Sequence, residues 1–199
     1  MSTILLTAFE AFGGDDINPA LLAVSKINDP DVVKLFLPVE YETASRLLAM
    51  RIDALKPDAV ICIGQAGGRT AVTPELYGVN LRSAKSPDNT GRICDGEKIV
   101  EGGPNKLETS FNARAIADAL AASGIPSQVS ESAGTYVCND VLYSLMYKLQ
   151  NTQIPGGFIH VPFCLEQIKK HPGAFALPLE DIIKAIHIAV DYVRIQLEG

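Results

Sequence analysis

Four short runs of the 199-residue chain are apolar almost throughout and are bounded by Gly, Pro or Asp: "TILLTAF" (3–9), "VVKLFLPV" (32–39), "DAVICIG" (58–64) and "GGFIHVP" (156–162). Continuous apolar runs of this length, rich in β-branched residues, predict strands buried on both faces. "YGVNLRSA" (77–84) and "SQVSES" (127–132) predict two weaker strands. Between them the apolar positions recur at helical spacing over 19–27, 41–56, 112–123, 139–150 and 178–198. These segments open near Pro, Asn or another polar cap residue, and "ASGIP" stops the third with Gly. Alternating strands and helices predict an α/β fold: a single-domain, three-layer α/β/α sandwich over residues 1–199, with a mostly parallel, partly mixed central sheet of the phosphorylase/hydrolase kind. The stretch 85–111 breaks the rhythm with prolines, glycines and polar residues, and predicts a long loop beside the sheet.

Composition narrows the function. A hydrophobic content of 47% supplies a large core for one domain. The formal net charge of -6, with no Lys/Arg-rich run, argues against nucleic acid and anionic membrane as partners. No stretch reaches the roughly 20 apolar residues of a membrane span, and "MSTILLTAF" lacks the basic flank and apolar length of a secretory leader. The expected setting is cytoplasmic. Four cysteines (Cys62, Cys94, Cys138, Cys164) stand far apart without a CxxC pair, so neither a disulfide framework nor a zinc site is expected. The three histidines are His160, His171 and His187.

One cysteine stands out by position. In "ESAGTYVCNDVLYSLMY" (131–147), Val141, Leu142, Leu145, Met146 and Leu149 form one stripe, which places the helix start at about Cys138 or Asn139. A thiol at a helix N-terminus meets unpaired N–H groups and the positive end of the dipole, which lower a cysteine pKa from about 8.5 toward neutrality. Those amides could also donate to an oxyanion, and "SAGT" would let a carbonyl approach closely. Taken alone, Cys138 reads first as a small buried hydrophobe, as most free cysteines do. His160 lies near the C-terminal end of a buried strand, the sheet edge where open α/β folds bind ligands; alone, it reads as a core histidine bonded to a carbonyl. A cysteine hydrolase usually carries a third group that orients the imidazole, and Glu75 in "GQAGGRTAVTPELYGVN" is the candidate, otherwise a solvated carboxylate. Spacing does not show that the three meet.

The motifs "LLTAFEAFGGDDINPA", "GQAGGRTAVTPE", "SPDNTG", "AGTYVCN" and "GGFIHVPF", in this order, resemble the pyroglutamyl peptidase I (pyrrolidone-carboxylate peptidase) family of cysteine exopeptidases across nearly the whole chain. The resemblance implies a Glu75, Cys138 and His160 triad, removal of an N-terminal pyroglutamyl residue from peptides through a thioester, no metal or cofactor, and a homodimer or homotetramer. It further implies that Phe9, Phe12 and Tyr136 wall a flat lactam, with Asn18 and the backbone around Gln65 as polar contacts. Three departures from the family pattern stand out: Lys85 where Arg is expected near the acyl carbonyl, Ser86 after it, and no Leu-Pro near 111–112. Lysine keeps the charge but loses the planar fork. Two other functions stay open: a cysteine amidase or peptidase for another small or cyclic acyl group, and a non-catalytic binding protein on the same sheet.

Overall fold

The structure, a computed structural model, describes residues 2–198. The first half of the chain forms β1 (Ile4–Phe9), α1 (Pro19–Lys26), β2 (Val32–Leu37), α2 (Thr43–Leu55), β3 (Ala59–Gln65), β4 (Thr73–Pro74), β5 (Tyr77–Val79), β6 (Arg82–Ser83) and β7 (Asp95–Glu97). The second half forms β8 (Lys106–Glu108), α3 (Ala113–Ala122), α4 (Val137–Leu149), β9 (Gly156–Val161), β10 (Phe163–Cys164), β11 (Ala176–Leu177) and α5 (Leu179–Glu198).

The central sheet runs β2-β1-β3-β9-β4, parallel except for β4, which is antiparallel to β9. β1, β3 and β9 are buried along their whole length, so their side chains feed two cores by simple alternation. Ile4, Leu6, Ile61, Ile63, Ile159 and Val161 pack with residues of α1, α3 and α5. Leu5, Phe9, Val60, Cys62 and Phe158 pack with residues of α2 and α4. The result is the three-layer α/β arrangement that the apolar runs predict. Asn18 and Asn112 cap α1 and α3, accepting from the N–H of Ala20 at 2.9 Å and of Ala115 at 3.1 Å.

Two expectations change. The segment 77–84 does not join the central sheet: Asn80 splits it into β5, paired with β8, and β6, paired with β7. The buried Asn80 side chain accepts from the N–H of Ile99 and Val100 and donates to the carbonyls of Val100 and Gly103, pinning the 97–105 turn beneath it. The 85–111 stretch is therefore the return half of two ribbons rather than one open loop. The segment 127–132 runs parallel beside β4 through isolated bridges at Ser127 and Ser130, and Pro74, lacking an N–H, interrupts the ladder there.

Candidate active site

α4 begins at Val137, one residue before the earliest start the apolar stripe predicts, with Tyr136 as its N-cap and no side-chain cap bond. The first helical bond runs from the Asp140 N–H to the Tyr136 carbonyl at 3.1 Å, so the N–H groups of 137–139 have no helical acceptor behind them. Cys138, half-buried, is the second residue of this turn. The next two side chains anchor the turn. Buried Asn139 donates to the carbonyls of Val79 and Leu81 and accepts from the Val79 N–H, each at 2.9 Å. Buried Asp140 accepts from Arg82 Nε at 2.8 Å and from the Glu42 N–H at 3.0 Å. The thiol thus sits on a helix end bolted to both the ribbon and α2. A Cβ at Gly64 would lie 3.1 Å from the Cys138 sulfur and 2.7 Å from the Phe158 ring, so only glycine leaves room for both.

His160 pairs in register with Gly64 on one side and Thr73 on the other. Its ring packs on Phe158 with centroids 4.8 Å apart. Nδ1 lies 2.7 Å from Glu75 Oε1, inside the protein. Glu75 is a carboxylate acceptor, so Nδ1 carries the proton and Nε2 is left as the basic nitrogen. Glu75 is held by its own N–H donating to the Phe158 carbonyl at 2.9 Å, and the same Oε1 lies 2.7 Å from Arg69 Nη1. Arg69 also donates to the Thr73 hydroxyl and, at 2.9 Å, to the Ser132 carbonyl. Burial alone would raise the Glu75 pKa, but the His160 hydrogen bond and the His160 and Arg69 charges together hold it below the usual carboxylate value.

Cys138, His160, Gln65 and Arg69 line one cavity of about 420 Å³ with Phe12, Ala66, Gly67, Ser132, Ala133, Gly134 and Tyr136. Burial pushes the Cys138 thiol up to about 12; the Glu75 charge adds to the rise and Arg69 opposes it. Burial also pushes His160 below the ordinary imidazole value, with the Arg69 charge helping and the Glu75 bond opposing. Burial and the Glu75 charge thus act against the thiolate expected at the helix mouth, and the Arg69 charge acts for it.

The other sequence-predicted residues divide. Phe12, Gln65 and Tyr136 line the cavity. The Tyr136 hydroxyl donates to the Pro87 carbonyl at 2.8 Å, and Asn89 Nδ2 donates to the Ala11 carbonyl at 3.1 Å, so "SPDNTG" braces both aromatic walls. Phe9, Asn18 and Lys85 are not among the lining residues. Phe9 ends β1 in the α2/α4 core, 6.2 Å from the Phe158 ring. Asn18 is committed to capping α1 and to the Glu10 carbonyl. Exposed Lys85 borders a separate hollow with Ser83, Ala84, Ile93, Cys94 and Asp95. The cation in the cavity is Arg69, which the sequence reading passes over although it closes the "GQAGGR" motif six residues before Glu75. Among the described residues no cluster of His, Cys, Asp and Glu suits a metal ion, and no helix is long and apolar enough to cross a membrane.

A thiol sharing one cavity with a carboxylate-oriented imidazole at the C-terminal edge of an open sheet is the equipment of a cysteine-type hydrolase. Known proteins agree and narrow the class. A family model described as pyroglutamyl peptidase matches residues 2–196. The pyrrolidone-carboxylate peptidase of Erwinia tasmaniensis is 40% identical over 195 residues, covering 96% of this chain and 92% of the relative. Pyroglutamyl peptidase I from Bacillus amyloliquefaciens superposes with a TM-score of 0.93 at 38% identity, over 96% of this chain and 94% of that one. A mutant pyrrolidone carboxyl peptidase from Pyrococcus furiosus gives 0.92 at 32% identity, over 98% and 99%. The chain belongs to the pyroglutamyl peptidase family.

Proposed function

We propose that the protein removes an N-terminal pyroglutamyl residue from peptides, with residues 1–199 as one catalytic domain. The observation that carries this reading is the buried 2.7 Å contact by which Glu75 holds His160, whose ring lines a cavity together with Cys138, Phe12 and Tyr136. A flat, uncharged lactam suits aromatic walls with a few amide-matching polar groups.

His160 Nε2 takes the thiol proton as the Cys138 sulfur bonds to the acyl carbonyl carbon, and the carbonyl electrons move onto oxygen. The N–H groups at the start of α4, with Arg69 nearby, stabilise that oxyanion. The C–N bond then breaks, and the His160 proton goes to the departing amine of the shortened peptide. Water adds to the thioester, giving its proton to His160. The S–C bond breaks, pyroglutamic acid leaves and the thiol regains its proton. Glu75 stays ionised throughout, keeping Nδ1 protonated and the ring aimed.

The reading includes a cytoplasmic homodimer or homotetramer, which analytical ultracentrifugation and fractionation test. For the activity, a chromogenic amine is released from a pyroglutamyl conjugate by the wild type, but not from the prolyl conjugate and not by Cys138→Ala. A wild type inactive on the pyroglutamyl conjugate refutes it.

A further inference from the structure

Glu42, the N-cap of α2, stands where its backbone is strained. It has φ 62° and ψ -41°, and the Thr43 N–H donates to the Tyr41 carbonyl at 2.6 Å across it. This is a γ-turn with a positive central φ, a rare geometry that crowds any residue carrying a Cβ. Lys56, which also has a positive φ, differs: at φ 51° and ψ 57° it occupies the ordinary left-handed well that ends a helix. Tyr41, next to Glu42, is held at a cost as well. It is 3% exposed, and its buried hydroxyl has no hydrogen-bond partner among the described residues. Two adjacent residues kept against their local preferences need surroundings that hold them there.

Those surroundings lead to the cavity. The Glu42 N–H donates to Asp140 Oδ2 at 3.0 Å, and Asp140, two residues beyond Cys138 and buried, is paired with Arg82 Nη2 at 2.8 Å. The Tyr41 N–H donates to the buried Asp88 Oδ2 at 3.0 Å. Arg92 spans the two residues: its Nη2 lies 3.0 Å from Glu42 Oε1, and its guanidinium carbon 5.9 Å from the centre of the Tyr41 ring. Held in this way, Tyr41 meets Tyr136 edge-on, with centroids 5.6 Å apart and planes at 84°, and Phe12 packs on Tyr136 at 6.3 Å. Phe12 and Tyr136 line the cavity, whereas Tyr41 is not among the lining residues.

Resting on the proposed function, we infer that Glu42 and Tyr41 are positioning residues: the strained turn, clamped by Asp140 and Arg92, sets the Tyr41 ring against Tyr136 and so fixes the wall on which the substrate ring lies. A helix entered through the usual negative φ would swing the chain before residue 42 by about 120° about that bond, and the Tyr41 ring with it. The strain is the condition for the contact. It acts on the substrate only through Tyr136, and its loss weakens binding more than it slows the chemistry.

Three substitutions at residue 42 separate the turn from the charge. Glu42→Gln and Glu42→Gly both lose the carboxylate, but glycine takes a positive φ freely. Glu42→Gly is therefore expected to have the higher urea midpoint of the two, with KM for the pyroglutamyl conjugate within about twofold of wild type. Valine, being β-branched, resists that φ, so Glu42→Val opens the turn and raises KM about three- to tenfold, the fold-change that one aromatic pair contact is worth, with kcat less affected. A role confined to the fold predicts instead that Glu42→Val lowers the urea midpoint and leaves KM unchanged. That result, or a midpoint for Glu42→Gly below that of Glu42→Gln, overturns the inference and leaves the proposed function standing so long as the wild type cleaves the conjugate. Should Glu42→Val fail to fold, Tyr41→Phe and Tyr41→Leu decide. Phenylalanine keeps the ring and drops the unpartnered hydroxyl, so KM stays near wild type and the midpoint does not fall, whereas leucine raises KM by the same factor of about three to ten. Equal KM values for these two variants overturn the inference.

Discussion

Replacing Arg69 with Met probes the electrostatics of the whole site. Arg69 Nη1 lies 2.7 Å from a Glu75 side chain with no exposure, while the Arg69 side chain is itself 21% exposed. Methionine keeps much of the apolar stem and removes the charge. Breaking a buried pair by deleting one partner costs about 3–5 kcal/mol; here His160 remains on the same oxygen, so a loss of about 2–3 kcal/mol is expected. For a chain of this size that lowers Tm by about 5–10 °C. The charge also holds Glu75 and His160 down and opposes the rise of Cys138, so its removal moves all three upward. Attack requires a neutral imidazole to accept the thiol proton, so the acid limb of kcat/KM, which in wild type falls below the ordinary histidine value of about 6.5, shifts to higher pH in Arg69→Met. The higher thiol pKa slows the reaction at every pH where the imidazole is neutral. Urea denaturation and a pH series with the pyroglutamyl conjugate measure both effects. An acid limb that stays put or moves lower, together with stability within about 0.5 kcal/mol of wild type, refutes the reasoning.

Gly64→Ala places a methyl against the Phe158 ring and the Cys138 sulfur, so a stability loss of about 1–3 kcal/mol and a lowered kcat are expected; wild-type turnover sinks the close-approach argument. Asn139→Ala strips three hydrogen bonds from residues 79–81 and leaves their buried backbone groups unpaired, a loss of about 2–4 kcal/mol readable in urea melts. Iodoacetamide should modify Cys138 ahead of buried Cys62, Cys94 and Cys164, at a rate that keeps climbing well above pH 8.5 because burial lifts the thiol to about 12. A rate that levels off near neutrality indicates a resting thiolate instead.

The strands and helices of the two cores were legible because burial on both faces writes β1, β3 and β9 as unbroken apolar runs, and the helices carry one apolar stripe each. The ribbons were not, because Tyr77 finds Glu108 and Arg82 finds Glu97 only through long-range pairing of short polar segments. Motif order named Glu75, Cys138 and His160, yet no spacing gives the 2.7 Å between residues 85 positions apart. Phe9 and Phe12 look alike in sequence, but alternation turns Phe9 into the α2/α4 core at the end of β1, and only Phe12 reaches the cavity wall. Arg69 escaped notice because a guanidinium after two glycines has no periodicity to mark it; its partner Glu75 comes close only once Thr73 and Pro74 pair with β9. The thiol pKa went the other way for a related reason: a helix start can be read from the chain, whereas depth of burial and the nearness of Glu75 belong to the fold.

Acid-quenching the enzyme during turnover of a pyroglutamyl peptide, followed by peptide mass spectrometry, addresses the chemistry itself. A pyroglutamyl adduct on the peptide that carries Cys138, absent when hydroxylamine cleaves the thioester and absent in Cys138→Ala, is the predicted result. An adduct on another residue, or full hydrolysis by Cys138→Ala, contradicts it.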